Sequence, residues 1–304
     1  MKKRLITFIV PMMLLCSCGD NGIPFNGVTT KQYEKEVTAE EFSTAQDKAM
    51  SDNIFYNGEK EFSFKYSLEG GVKETYIWNE NGKQTDEQIS QQFYKESFVF
   101  DIENKTANKE ITLKRKATSS GVRNSGNNLV DMNYNVDYQM GTFPGETNEV
   151  LLEIYPKEKI AGETSYDKDE MSLYSFFLSA ASKMCGELSD TLDVDLPMSS
   201  KSAKYYVDGN VFTLYSYAEN EESSPSSYSK LNKSYSFIMQ SEFLDNGFNI
   251  VASLEQETKK TYLDDHYKEE RNTVTKETFY EKFEVSTASS NINPVDLSNY
   301  RFDK

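Results

Sequence analysis

The sequence predicts an α+β fold that is mainly antiparallel β: a curved sheet or half-barrel packed around one or two helices. Three observations carry this expectation. Apolar residues recur at every second position, as in Phe62, Phe64, Tyr66 and Leu68 set against Ser63, Lys65 and Ser67. Turn sequences such as Asp208-Gly209-Asn210 and Asp245-Asn246-Gly247 separate such stretches, which is the mark of hairpins. Helical spacing is confined to two segments, and the strand–helix alternation of a doubly wound domain is absent.

Taken in order, ordered structure is expected from Thr38. Thr38 and Glu41 form a capping box, in which hydroxyl and carboxylate satisfy early backbone amides. Phe42, Ala45 and Ala49 follow at helical spacing and predict a helix over about 39–50. The 62–68 stretch is a strand with one buried face. Gly70-Gly71 reads as a turn, after which 72–78 returns. Asn81-Gly82 is a further turn, and the polar stretch 86–96 reads as a short helix. Phe98, Phe100 and Ile102 alternate again, then Ile111 and Leu113, then Tyr134, Val136, Tyr138 and Met140, with 119–128 a Gly/Ser/Asn loop. A strand over 150–155 closes the first half.

The strongest helix is expected over about 168–189. Met171, Tyr174, Leu178, Ala181, Cys185 and Leu188 advance by threes and fours, and Leu173, Phe176, Phe177, Ala180 and Met184 widen the stripe. So broad an apolar arc predicts a helix sunk into the protein. Hairpins follow around 208–210 and 245–247, a surface loop over 219–230, and a final charged pair over 262–271 and 275–285. The expected domain is 38–304. Its halves, 38–160 and 165–304, each run helix then antiparallel strands, so a distant duplication is conceivable.

The N-terminus gives the address. Lys2, Lys3 and Arg4 precede an apolar run from Leu5 to Leu15, too short to span a bilayer, which takes about 20 residues. Leu15-Cys16-Ser17-Cys18 then resembles the bacterial lipobox. Cys16 fits less well, because bulky Leu15 precedes it where a small residue is wanted. The resemblance implies a signal peptide over 1–17, cleavage before Cys18, acylation of that cysteine by palmitate-like chains, and a flexible tether over 18–37. Residues 20–33 hold Gly, Asn, Pro and Thr without an apolar period, as a tether requires. Each buried CH₂ contributes about 0.8 kcal/mol, so two or three chains hold a soluble domain on the membrane, facing the periplasm or cell exterior.

Composition then excludes several classes. Loss of three basic residues with the signal takes the net charge from −16 to about −19, which argues against nucleic acid as a partner and keeps the body off anionic headgroups. With Cys18 acylated, Cys185 stands alone and no intrachain disulfide is possible. Stability must come from a core, for which 20 Tyr and 19 Phe provide the material.

Residues with chemical potential are few. His266, the single histidine, lies in a strand of alternating charges, Asp264 through Arg271, and reads as solvated rather than catalytic. Asp190, Asp193 and Asp195 lack the spacing of a calcium loop. Cys185 sits in the apolar stripe, where a thiol stays protonated and packs as a small hydrophobe. No phosphate-cradling glycine loop or nucleophile elbow is present. No catalytic residue, metal or cofactor is therefore expected.

The order of an early helix, antiparallel strands, a central helix and more strands resembles the LolA/LppX-type lipoprotein fold. The ending Phe283-Glu-Val through Ile292-Asn-Pro-Val-Asp-Leu297 is similar to how such chains close. The resemblance implies a sheet wrapped around helices and sheltering acyl chains. Tyr174, Phe177, Leu178 and Ala181 are the candidate lining of such a cavity. The functional expectation is a non-catalytic, lipid-anchored envelope protein that binds a hydrophobic or amphiphilic ligand. The alternative is an envelope interaction or scaffold lipoprotein with a filled core and a protein partner.

Overall fold

The computed structural model describes residues 35–58, 60–121, 126–181, 203–224, 229–262 and 271–303. The signal segment, Cys18 and the tether lie outside the described residues. Helix α1 (Ala39–Asp52) begins as the capping box dictates. Thr38 Oγ1 accepts from the Glu41 amide at 3.2 Å, and the Glu41 carboxylate accepts from the Thr38 amide at 2.9 Å. Phe42, Gln46 and Met50, four residues apart, form its buried face. Asn53 ends α1 and caps the short α2 (Ile54–Asn57). Its side-chain amide also donates to the carbonyls of Leu244 and Gly247, pinning the helix junction to a hairpin of the sheet.

Among the described residues thirteen strands follow from the alternating segments: β1 (Glu36–Val37), β2 (Phe64–Glu80), β3 (Lys83–Asp101), β4 (Thr106–Gly121), β5 (Gly126–Gly141), β6 (Val150–Tyr155), β7 (Ile160–Glu163), β8 (Ala203–Asp208), β9 (Val211–Ser224), β10 (Ser229–Leu244), β11 (Gly247–Tyr262), β12 (Arg271–Thr287) and β13 (Arg301–Asp303). A third helix, α3, covers residues 173–181, with the Ser172 hydroxyl accepting from the Ser175 amide at its start. All strands belong to one sheet, ordered β1-β8-β9-β10-β11-β12-β2-β3-β4-β5-β6-β7-β13, antiparallel except where β13 joins β7. β12 pairs along the whole of β2, so the two halves of the chain share a single sheet.

Strands make up 65% of the structure, which fixes the class as mainly antiparallel β with helices. The half-barrel does not form. The sheet is wide, flat and open, and its order ends at two strands that do not meet. Closure requires a consistent tilt and stagger around a ring, whereas here the outermost strands, β1 and β13, are only two and three residues long. Four local expectations also give way. Gly70-Gly71 lies inside β2, segment 86–96 lies inside β3, the 119–128 loop is occupied on both sides by β4 and β5, and the 219–230 loop by β9 and β10.

The three helices pack on one face of the sheet at one end of the long strands. Phe42 meets Tyr205 and Phe212, Phe55 meets Phe62, Phe64 and Phe248, and Phe177 meets Phe98, Phe100 and Tyr138. This core stops along one line across the sheet: Phe237, Leu254, Phe279 and Val72 are directly opposed neighbours on successive strands. Beyond that line the strands continue as a second half without core residues of this cluster. A smaller cluster on the opposite face, Phe143, Leu152, Ile154 and Ala161, is covered by Val295, Leu297, Tyr300 and Phe302 of the C-terminal segment. That segment is held in passing by Asp101 and Gln139, which bond the backbone of Ile292 and Val295. Burial alone would raise the Asp101 carboxyl, but donors from Ile292, Asn104 and Glu103 hold it below its ordinary value.

Candidate functional site

The face that meets the helices is the chemically distinctive part of the molecule. Phe64, Tyr66 and Leu68 of β2 point to this face, and their partners across the ladder are Phe100, Phe98 and Glu96 of β3. The same phase brings Ala107, Lys109 and Ile111 of β4 beside them, and then Tyr138, Val136 and Tyr134 of β5. The result is an aromatic floor with α3 as its roof. Tyr174 lies against Phe62 and Phe64, with ring centroids at 5.3 and 5.6 Å, and Phe177 sits 5.2–5.5 Å from Phe98, Phe100 and Tyr138.

The four expected lining residues therefore share one side of α3. Tyr174, Phe177 and Ala181 are 7%, 3% and 1% exposed, and Leu178 packs beside them half-buried. In this state their side chains meet sheet side chains directly. His266, Cys185, Asp190, Asp193 and Asp195 lie outside the described residues. Among the described residues no cluster of three His, Cys, Asp or Glu side chains suits a metal ion, and no helix is long and apolar enough to cross a membrane.

One polar group interrupts the floor. Glu96 is fully buried, and its carboxylate accepts from the phenols of Tyr66 and Tyr94, one on each oxygen. Lys109 Nζ lies 3.0 Å from the oxygen that Tyr66 also serves, with a fifth of the lysine side chain still exposed. An unpaired carboxylate here would be prohibitive, so three donors are what make the position tenable. Burial first, and the neighbouring Glu96 second, push both phenols above their ordinary value, so they remain protonated donors. Tyr138 extends the network by donating to Glu153 at 3.1 Å, and burial again raises its phenol. The arrangement has no nucleophile beside a base. It provides a wide apolar surface with a localised ion pair.

Sequence reasoning missed Glu96, Tyr66, Tyr94 and Lys109 as a unit. The signal was there: Tyr94, Glu96, Phe98 and Phe100 share one strand phase, and a lone acid in an aromatic row requires a partner. Reading 86–96 as a helix hid that phase.

On the opposite face, beyond the end of the core, a cleft of about 410 Å³ opens where Ser234 and Ser236 leave room between larger neighbours. Tyr217, Glu255, Glu257, Lys276 and Thr278 are among its walls, and Lys276 pairs with Glu257 at 3.0 Å. Its lining mixes polar and apolar surface and is open to solvent.

No protein-family model and no curated protein matches the chain. Among solved structures it is similar to a lipovitellin structure concerned with lipid–protein interactions, at 10% identity and a TM-score of 0.30, over 79% of this chain and 27% of that one. It is also similar to the InvG secretin domain β-barrel from the Salmonella SPI-1 injectisome, at 10% identity and a TM-score of 0.14, over 93% of this chain and 88% of that one. The chain thus spans about a quarter of the lipovitellin chain's length, and likenesses at these scores carry no functional weight.

Proposed function

We propose that this protein is a non-catalytic bacterial lipoprotein, anchored through Cys18 on the extracytoplasmic side of a membrane, which takes up a hydrophobic or amphiphilic ligand between α3 and the sheet. The observation that carries this reading is the roof. A floor of Phe64, Phe98, Phe100 and Tyr138 is covered here by one helical face rather than by a second sheet. An acyl chain can replace ring contacts with apolar contacts of similar kind, so displacing such a roof exposes little new surface to water. Lys109, partly exposed at the edge of the floor, supplies a cation for an anionic head. Native mass spectrometry of the full chain released in mild detergent tests the reading. The expected result is an adduct of acyl-lipid mass that exchanges with a fluorescent fatty acid; no adduct and no saturable probe uptake would remove it.

A second reading is an envelope interaction lipoprotein. The tight burial of Tyr174, Phe177 and Ala181 favours it, because a floor already filled leaves the strand surfaces for contact. Crosslinking from the far ends of β4 and β9 that captures one reproducible envelope protein, with no bound lipid, would favour this reading over the first.

A further inference from the structure

The two outermost strands of the sheet are very short, which is how sheets blunt their edges. β5 is different. It pairs with β4 over its length, but β6 covers only residues 137–141 on its other side. Residues 126–136, eleven positions or about 37 Å of extended chain, have no strand partner there among the described residues. Backbone groups alternate sides along an antiparallel strand, and the Met140 amide, which turns to the Lys105 carbonyl beside β4 at 3.4 Å, sets the phase: even-numbered residues face β4 and odd-numbered ones face β6. The backbone of Leu129, Asp131, Asn133 and Asn135 therefore faces the open side. The carbonyl of Asn133 reports this directly, since Lys157 from the turn after β6 bonds it at 3.2 Å.

The side chains repeat the message. Val130, Met132 and Tyr134 lie on the helix-bearing face of this free stretch, and Leu129 lies on the other. Leu129 is 68% and Tyr134 48% exposed. The stretch carries a single charge, Asp131, and Lys114 of β4 already neutralises it at 3.3 Å. No proline and no lysine of its own guards the strand.

We infer that the free edge of β5 is a docking site for a second copy of this chain, pairing antiparallel with the partner's β5 about a twofold axis normal to the sheet. Self-complementarity selects this occupant. With Met132 at the axis, every outward-facing backbone group meets an outward-facing one: Asp131 opposes the partner's Asn133, and Leu129 the partner's Asn135. Val130 meets the partner's Tyr134 on the same face, and no charge opposes its like. With Met132 at the axis the two copies pair over residues 128–136, and the pairing stops where β6 begins beside Asp137. β9 likewise outruns β8, over 217–224, but Glu219 there would bring like charges together on self-pairing. Nine residues a side is under half of a standard interface of about 20–30. The dimer is therefore weak in solution and is strengthened where both copies are confined to one surface. The inference does not depend on the ligand reading.

Directly opposed residues that do not exchange hydrogen bonds have Cα atoms about 4.5 Å apart, within the range a disulfide bridges. Met132→Cys in the full chain in mild detergent should therefore give a disulfide-linked dimer on gentle oxidation, while the parent chain and Leu129→Cys do not. Asn133→Pro removes a donor that faces the open side and spares the β4 ladder, so the monomer keeps its circular dichroism. It should weaken dimerisation measured by sedimentation at least tenfold and abolish the Met132→Cys crosslink. A parent chain that stays monomeric at hundreds of micromolar, a dimer unaffected by Asn133→Pro, or a crosslink at Glu219→Cys in place of Met132→Cys would each overturn the inference.

Discussion

Alkali should unfold this protein through its buried tyrosines. Burial, reinforced by a nearby carboxylate, raises the phenols of Tyr66, Tyr94, Tyr138, Tyr174 and Tyr280 above the ordinary value of 10.0. A phenol whose value is higher in the folded chain ionises first in the unfolded one. Its stabilisation is complete below pH 10 and is lost as the pH climbs from there towards the folded value. Each such group costs about 1.4 kcal/mol per pH unit in that window. Discounting the rings with more solvent contact leaves about three to four effective protons, and so a slope of ~4–6 kcal/mol per unit. Against a total stability of about 5–15 kcal/mol, unfolding falls between about pH 11 and 13. Tyrosinate absorbance and far-ultraviolet circular dichroism, followed together, provide the assay. A delayed group of about five should ionise in step with the loss of β signal. Reversible ionisation of all the tyrosines near pH 10, with the dichroism unchanged, would refute the reasoning.

Three further outcomes follow from packing. Phe177→Ala removes ring contacts with Phe98, Phe100 and Tyr138 and should cost about 3–5 kcal/mol in urea denaturation; Phe176→Ala, at a half-buried position, should cost clearly less. Gly71→Ala places a methyl 2.9 Å from the Gln92 carbonyl oxygen and 3.0 Å from the Tyr280 ring, a clash of about 1–3 kcal/mol that Tyr280→Ala should relieve only in part, because the backbone oxygen cannot move away. Lys109→Met should cost up to about 3 kcal/mol by leaving the Glu96 carboxylate to its two phenols; in the Lys109→Met/Glu96→Gln double variant the two losses should fall short of additive, and additivity in thermal melts would show the pair uncoupled.

The parts of the fold that could be read from sequence are those whose causes are local or that lie under the helices. Thr38 and Glu41 cap α1 whatever surrounds them. The turns at 81–82, 209–210 and 245–246 end strands on their own chemistry. The alternation of Phe62 to Leu68 is plain because one face of that stretch carries the core. Past the line through Phe237, Leu254, Phe279 and Val72, no core residue of that cluster demands a two-residue period, and the pattern fades. Residues 86–91 and the 219–230 region lie at that far end, and the segments that hold them were misread, one as a helix and one as a loop. Gly70-Gly71 fails for a different reason. A glycine pair favours a turn locally, but Gly71 lies under the ring of Tyr280, more than two hundred residues away in sequence, and the missing Cβ is what admits the ring.

The same far half explains why curvature could not be read and why the site was only half seen. Whether a sheet closes depends on the strands at its two ends, here β1 and β13, whose brevity is a fact about pairing and not about their own composition. The helix-side aromatics announced themselves by period, so Tyr174 and Phe177 were legible. Glu96 was not, because its role exists only once Tyr66 from β2 and Lys109 from β4 are brought to it. A buried acid that takes its donors from three strands also ties their registers together, since a slip of one residue would turn Glu96 to solvent and its donors with it. The ion pair is therefore the point at which the aromatic floor is fixed in register.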